Sequence, residues 1–418
     1  MAKTAHNQNM NIIVFLLGIL SVCAFSPFVS RSLGDIVLFI IIGLIILLEI
    51  NLFPRCSVKK KNTIVLITCY LLLLGIYKII GISDASMSFH FNIFRFFLIF
   101  ICMMPLYDML SKKQIRFLIT VCLLTIAVTL FQNFLLKLRY GEGYSQRLYS
   151  LKGVKEVVNT YYTSALLMVS GFLFCAFLHE KSKGKKFFWF LGTVVCLLFN
   201  FIVTQRGIPL VLSALMFPLL ILFNNDDRSR KTYIKVTVFI VIAVIMVIEL
   251  DDILSWIGAM TGSDRLERRL NLLAVIWDEG GLESAEGSSL AVRFRLMGVS
   301  VNTFFSSANC FFVGSGLNTS TNHVVGNHSQ LLDEFARYGI FGGLLSLYNL
   351  RSMLKITKGS TVGHSVPSIQ KQINVLFLIF ILRALLGFVY DTAVAGAMFI
   401  LMPLMFKLMI MKRGNEEC

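Results

Sequence analysis

Charged residues are scarce in this chain of 418 residues: 15% are Asp, Glu, Lys or Arg, whereas 56% are hydrophobic. Soluble domains usually carry about a quarter charged residues, so this composition excludes an ordinary soluble protein and indicates a polytopic membrane protein. Tryptophan is also rare, with 3 residues against 37 phenylalanines. That balance suits a body of lipid-facing helices.

Other features are lacking as well. Of the nine cysteines only Cys310 falls in a predicted external loop, so no disulfide framework is expected. No internal repeat of the kind that transporters carry is visible. His323 and His328 have no third metal ligand at a suitable spacing, so neither a metal site nor another cofactor is predicted.

Long apolar runs decide the fold class, because a membrane-spanning helix needs roughly 20 apolar residues. The sequence therefore predicts an all-α membrane protein of about twelve transmembrane helices. The first run is expected to be a retained helix and not a signal peptide. The predicted spans are 11–30, 35–53, 63–82, 91–110, 115–136, 160–179, 187–204, 207–223, 232–250, 331–354, 369–388 and 392–411.

These spans divide the chain into three parts. Residues 1–250 hold the first nine helices, 251–330 form one long external loop, and 331–418 hold the last three helices. Short loops rich in Lys and Arg mark the cytoplasmic side. All of these basic loops fall on the same side of the membrane if both termini are cytoplasmic. The basic residues of these predicted cytoplasmic loops are Arg55, Lys59, Lys60, Lys61, Lys112, Lys113, Arg116, Lys181, Lys183, Lys185, Lys186, Arg228, Arg230, Lys231, Arg351, Lys355, Lys358, Lys371, Lys412 and Arg413.

The net charge of +16 has the same explanation. Most of it is this topology pattern together with contact to anionic lipid head groups, so membrane lipids are expected partners and nucleic acid is not. Two external segments, 137–159 and 251–330, depart from the pattern of short loops. Segment 137–159 is basic and includes Arg147, although it lies outside. An anionic ligand at the outer surface would explain that charge.

The long loop 251–330 has recognisable parts. Residues 264–277 have the pattern of a helix lying in the membrane interface, and 278–289 read as a mobile loop. A helix follows at 290–306, with Arg293 and Arg295 in its early turns. Gly314-Ser315-Gly316 then predicts a turn.

The segment 326–342 joins this loop to the tenth span. Asn327 is a good helix N-cap, and Gln330 completes a pair resembling a capping box. His328 would then occupy the first helical turn, where the helix dipole favours a neutral ring. Asp333 and Arg337 have the spacing to pair along the helix, and the glycines from Gly339 onward permit close helix packing.

Some arginines lie within predicted spans, where such residues usually face protein or a watery cavity. Arg95 and Arg383 are therefore candidate site residues, although Asp391 could instead satisfy Arg383. Arg206 sits at a predicted outer hairpin, where contact with lipid head groups is the simpler explanation. For His328 the simpler explanation is a polar residue capping a helix.

Taken together, these motifs resemble the O-antigen polymerase and ligase superfamily of membrane glycosyltransferases. The matching residues are Thr204-Gln205-Arg206-Gly207, then Arg293 and Arg295 before Phe312-Val313-Gly314-Ser315-Gly316-Leu317, then His328-Ser329-Gln330-Leu331-Leu332 leading into Tyr338-Gly339-Ile340-Phe341-Gly342. The family often has Asn after the histidine and Pro before the glycine turn. This chain has Ser329 and Phe311-Phe312 there.

The resemblance implies a C-type glycosyltransferase fold and a metal-independent, inverting transfer of a glycan from undecaprenyl diphosphate. Carried onto this chain, Arg206 and Arg295 would bind the diphosphate, because guanidinium groups present forked donors to phosphate oxygens. His328 would accept the proton of the attacking sugar hydroxyl. Further substrate-binding residues are expected at Arg293, Arg95, Arg383, Arg147 and Arg337.

The favoured function is a polymerase of surface-polysaccharide repeat units in the bacterial inner membrane, with its active site on the outer face and a chain-length regulator as a possible partner. Two alternatives stay open. A ligase would move the finished glycan to another acceptor, such as lipid A-core. A flippase or exporter would only bind a passing lipid diphosphate.

Overall fold

A computed structural model of the chain describes residues 2–79, 87–141, 160–200, 207–224, 289–315, 325–326, 329–362 and 367–414. These residues form helices, and no strand occurs among them. The prediction of an all-α protein is therefore confirmed over the described part. The predicted ninth span at 232–250 and the predicted interfacial helix at 264–277 lie outside the described residues.

The helices are numbered here in chain order. They are α1 (Ala2–Phe25), α2 (Pro27–Glu49), α3 (Val58–Ile79), α4 (Met87–Leu106), α5 (Lys112–Tyr140), α6 (Thr160–His179), α7 (Lys183–Leu198), α8 (Gly207–Leu222), α9 (Ser289–Phe305), α10 (Ala308–Phe312), α11 (Gln330–Val362), α12 (Pro367–Leu385), α13 (Thr392–Ala395) and α14 (Met402–Gly414). A π-helical stretch, Gly396–Leu401, joins α13 to α14 without a break.

Five of these segments are long and apolar enough to cross a membrane. They are α3, α5, Tyr162–His179 of α6, α12 and the continuous run Thr392–Met411. Four shorter apolar helices match further predicted spans: Asn9–Phe25, Ile36–Glu49, Phe91–Leu106 and Val211–Leu222. Helix α11 covers the predicted tenth span, and α9 confirms the predicted helix at 290–306.

Two helices bend at glycines with a positive φ. Gly34 (φ 76°) interrupts α2 and so separates the predicted spans 11–30 and 35–53. Gly339 (φ 66°) interrupts α11. Residues with a side chain rarely adopt this left-handed conformation. Glycine is therefore what allows each helix to change direction at these points.

An aromatic core holds the centre of the bundle together. Phe96 of α4 contacts Phe399 edge-to-face at 5.2 Å between ring centroids and Tyr390 at 4.7 Å, and all three rings are buried. The neighbouring Phe97 contacts Tyr70 of α3 at 5.3 Å. Around this core α11 packs on α3, α12 and α14, while α9 and α10 pack on α11. The start of α11 is thus surrounded by other elements.

Candidate functional site

Helix α11 begins at Gln330 and is capped by Ser329. The Leu332 amide donates to Ser329 Oγ at 3.2 Å, and the Ser329 amide donates to Asp333 Oδ2 at 3.2 Å. These two bonds satisfy amides that a helix start leaves without partners. The prediction that Asn327 caps the helix and that His328 lies in its first turn is wrong, because the helix begins after both. Asn327 and His328 themselves lie outside the described residues.

Asp333 also connects α11 to α9. Ser300 Oγ donates to Asp333 Oδ1 at 2.5 Å, and the Gly326 amide donates to Ser300 Oγ at 3.0 Å. Gly326 has no room for a side chain, since a Cβ there would collide with the Leu296 carbonyl. Asp333, which the spacing predicted to pair with Arg337, binds Ser329 directly and Gly326 through Ser300. These are the two residues that flank Asn327-His328.

The second acidic residue of α11, Glu334, is completely enclosed. Tyr70 donates its hydroxyl hydrogen to Glu334 Oε2, and Gln330 Nε2 donates to Glu334 Oε1 at 2.7 Å. The backbone N–H of Gln330 donates to the Gly387 carbonyl at 3.2 Å. These bonds join α3, the start of α11 and the segment after α12. We call Glu334, Gln330 and Tyr70 the carboxylate cluster.

Two more buried tyrosines surround the carboxylate cluster. Tyr338 contacts the ring of Tyr77 edge-to-face at 5.2 Å, and Tyr77 donates its hydroxyl hydrogen to the Val313 carbonyl. Tyr390 shares a hydrogen bond of 3.0 Å with Ser346. A carboxylate in such apolar surroundings is costly unless its oxygens are hydrogen-bonded. The two donors to Glu334 supply those bonds.

A pair of glycines brings two sequence motifs into direct backbone contact. Gly314 (φ 87°) follows α10, and Gly339 (φ 66°) lies at the bend of α11. A Cβ on Gly314 would collide with the Arg337 carbonyl, and one on Gly339 would collide with the Phe312 carbonyl. The predicted turn at Gly314 is therefore where α10 packs against the bend of α11.

Two of the candidate arginines lie close to the start of α11. Arg337 is buried and stands one helical turn after Glu334. Arg383 is buried on α12, where its Nε donates to Ser164 Oγ at 2.9 Å. Its guanidinium also lies against Gly387, since a Cβ there would collide with it, and Gly387 is the residue whose carbonyl binds Gln330.

Asp391, which the sequence offered as a partner of Arg383, also acts as a helix cap. Its Oδ1 accepts a hydrogen bond of 2.9 Å from the Ala393 amide and so caps α13. Arg95 is buried on α4 and binds within its own helix, to the Phe91 carbonyl at 3.2 Å and to Asn92 Oδ1. Its neighbours Phe96 and Phe97 contact Tyr390. Arg95 therefore lies beside the aromatic core, which contacts Tyr70 of the carboxylate cluster through Phe97.

Of the other candidate residues, only Arg295 has a described side chain. Arg295 is exposed on α9, the helix that binds Asp333 through Ser300. Arg293 belongs to the first turns of α9, and its side chain is not among those described. Arg147, Arg206 and His328 lie outside the described residues.

The sequence reading missed Glu334, Tyr70 and Ser300 altogether. One pattern could have drawn attention to Glu334, since an acidic residue inside a predicted span is rare and usually functional. Tyr70 and Ser300 carry no such pattern. Among the described residues, no group of three or more His, Cys, Asp or Glu side chains could hold a metal ion.

The chemical capacity of this region follows from its construction. The carboxylate cluster fixes the start of α11 and the glycine pair fixes its bend, and the buried guanidinium groups of Arg337 and Arg383 lie among the buried carboxyl groups of Asp333 and Glu334. Such an arrangement can hold an anion next to a rigidly placed polar segment. Scans of the chain against protein-family models and curated protein sequences found no match.

Proposed function

We propose that this chain is a membrane glycosyltransferase that polymerises lipid-linked polysaccharide repeat units. The donor is a glycan on undecaprenyl diphosphate, and the acceptor is the terminal sugar of a second lipid-linked unit. One observation carries the proposal. The segments that resemble the O-antigen polymerase and ligase superfamily, around Gly314 and around Gly339, pack backbone to backbone at the bend of α11, nine residues after its start.

This contact supports the proposal because it brings together two motifs that stand 25 positions apart in the sequence. Both glycines lie where the two backbones touch, and Ser329, the residue after His328, caps the start of the same helix. A motif set that forms one structural unit is more informative than the same residues scattered over a chain.

In the proposed reaction the acceptor hydroxyl oxygen attacks the anomeric carbon of the donor sugar. The bond from that carbon to the diphosphate oxygen breaks, and the configuration inverts. His328 takes the hydroxyl proton as a general base. Arg206 and Arg295 stabilise the negative charge that develops on the leaving diphosphate, which lowers the barrier of this step.

The buried arginines have a supporting place in this scheme. Arg337 and Arg383 contribute positive potential next to the start of α11, while Arg293 and Arg147 add to it from the predicted external segments. The protein would work in the bacterial inner membrane with both termini in the cytoplasm. Its site would face outward, where a chain-length regulator could meet it.

The proposal is tested with purified protein in lipid nanodiscs. Given one lipid diphosphate-linked repeat unit and nothing else, a polymerase produces a ladder of longer glycans. Products that form only after a different acceptor is added would indicate a ligase. Transport of the lipid across liposomes without new glycosidic bonds would contradict both enzymes and indicate a flippase.

The residue assignment has its own control within the chain. His328→Ala is expected to abolish the glycan ladder, whereas His323→Ala is expected to keep it. Only His328 belongs to the motif His328-Ser329-Gln330-Leu331-Leu332 that resembles the superfamily. Arg206→Lys keeps the charge but loses the forked donor geometry, so turnover should fall. Full activity in His328→Ala, with normal membrane insertion, would remove the proposed base.

A further inference from the structure

An apolar groove lies between the second half of α5 and the last turn of α7. Its volume is about 410 Å³, and every lining side chain is apolar. The groove is lined by Ala127, Leu130, Phe131 and Phe134 of α5 and by Val195 and Leu198 of α7. The α5 residues share one helical face, since they stand three or four positions apart.

The groove has one charged end. Lys137 follows Phe134 by three positions and therefore lies on the same face of α5, about 4.5 Å further along the helix axis. Lys137 is half-buried, and Arg139 is exposed near it, with its guanidinium 5.3 Å from the ring centroid of Tyr140. The opposite end of α5, at Lys112, is the predicted cytoplasmic end. The basic end of the groove thus lies on the predicted outer side.

Hydrogen bonds connect this end of the groove to Arg383. Asn200, just beyond α7, donates through Nδ2 to the Thr163 carbonyl of α6 at 3.4 Å. The next residue of α6, Ser164, accepts from Arg383 Nε at 2.9 Å. Near the start of α6, consecutive residues therefore contact the end of α7 on one side and Arg383 on the other. A head group above the groove has buried positive charge one helix away.

We propose that the groove holds the isoprene units next to the diphosphate of the lipid diphosphate donor, with the diphosphate at Lys137. This proposal rests on the proposed function. The chemistry on both sides matches, because an apolar groove ending in a lysine fits a long hydrocarbon chain that ends in an anion. Phe131 is 62% exposed toward this space and would be covered by the bound chain.

The experiment uses the full chain in nanodiscs and undecaprenyl diphosphate that carries a diazirine near its diphosphate end. After illumination, mass spectrometry should find the label on groove residues of α5 and α7. An excess of unlabelled undecaprenyl diphosphate should remove the label, and an excess of phosphatidylglycerol should not. Equal labelling by a diazirine phosphatidylglycerol would mean that bulk lipid fills the groove, which overturns the proposal.

Two variants with matched controls test the groove and its charged end. Ala127→Trp fills the groove and should weaken labelling about tenfold, since the chain loses buried apolar area. Val128→Trp changes an exposed neighbour that does not line the groove, so its labelling should match that of the unmodified chain. Lys137→Ala should weaken labelling about fivefold, whereas Lys113→Ala, at the other end of α5, should have no effect.

Polymerisation assays on the same preparations separate this proposal from the proposed function. A protein that makes the glycan ladder but shows no selective label, with Ala127→Trp fully active, would overturn the groove assignment and leave the function standing. Selective labelling of a protein that makes no ladder would support the groove as a lipid diphosphate site and contradict the polymerase.

Discussion

Tyr70 donates a hydrogen bond to the carboxylate of Glu334, from the middle of α3 to the start of α11 and across 264 positions of sequence. Both side chains are buried. The bond lies beside the segment that carries His328, so it fixes the end of α11 on which the proposed chemistry depends. Its energetic weight can be measured.

Replacing Glu334 with Ala should destabilise the protein strongly. The change leaves the Tyr70 hydroxyl and the Gln330 amide group buried without their acceptor. An unsatisfied buried donor costs about 1–3 kcal/mol, so the free energy of unfolding should fall by about 2–4 kcal/mol. Denaturant unfolding of the detergent-solubilised protein measures this quantity.

Glu334→Gln is the matched control for that substitution. A glutamine amide keeps an oxygen for the Tyr70 hydroxyl. Its NH₂ group can donate to Gln330 if the Gln330 amide rotates, and Gln330 Oε1 has no hydrogen-bond partner at present. We expect a loss of less than about 1 kcal/mol. Equal unfolding curves for Glu334→Ala and the unmodified chain would contradict the role assigned to this cluster.

Tyr70→Phe removes only the hydroxyl group and keeps the ring contact with Phe97. Alone it should cost about 1–2 kcal/mol, because Glu334 Oε2 loses its hydrogen-bond donor. Combined with Glu334→Ala, which removes the acceptor, the two losses should not add. The double-mutant cycle is expected to give a coupling energy of about 1 kcal/mol. A coupling energy of zero would mean that the two residues do not interact in the folded protein.

Ser329 caps the start of α11. Ser329→Ala removes the acceptor for the Leu332 amide and should lower the unfolding free energy by about 1 kcal/mol. Ser329→Asn should restore it, since Asn and Ser are comparable N-caps. Glycan ladders should follow the same order if the cap positions the segment before α11. An Ala variant as stable and active as the Asn variant would contradict the cap.

Much of the helical framework could be predicted from sequence, because a membrane-spanning helix needs only a long apolar run. The boundary between the first two spans was expected close to Gly34, where α2 bends. The N-cap of α11 was placed at Asn327, two residues too early. Asn and Ser cap helices about equally well, so local propensity could not choose between Asn327 and Ser329.

The contacts of the site could not be predicted in the same way. Asp333 had an arginine at the right helical spacing, so the sequence favoured the local pair. Its hydrogen bond to Ser300 depends on how α9 folds back onto α11 and does not follow from that spacing. The bond between Tyr70 and Glu334 likewise joins residues with no shared local pattern. Such tertiary contacts follow from helix packing, which one sequence does not specify by periodicity.

The glycine pair provides the sharpest test of how α10 meets α11. Gly314→Ala and Gly339→Ala each place a Cβ on a residue with a positive φ and against a backbone carbonyl. Backbone cannot move aside as a flexible side chain can, so each change should cost about 3 kcal/mol or more. Gly298→Ala is the control, because Gly298 lies in α9 with nothing within 4 Å of its added Cβ. Alanine is the better helix former there, so Gly298→Ala should stabilise the protein by about 0.5–1 kcal/mol. Thermal melting gives the order of stability of the three variants. A Gly339→Ala variant with the same melting temperature as Gly298→Ala would show that the two backbones are not in contact.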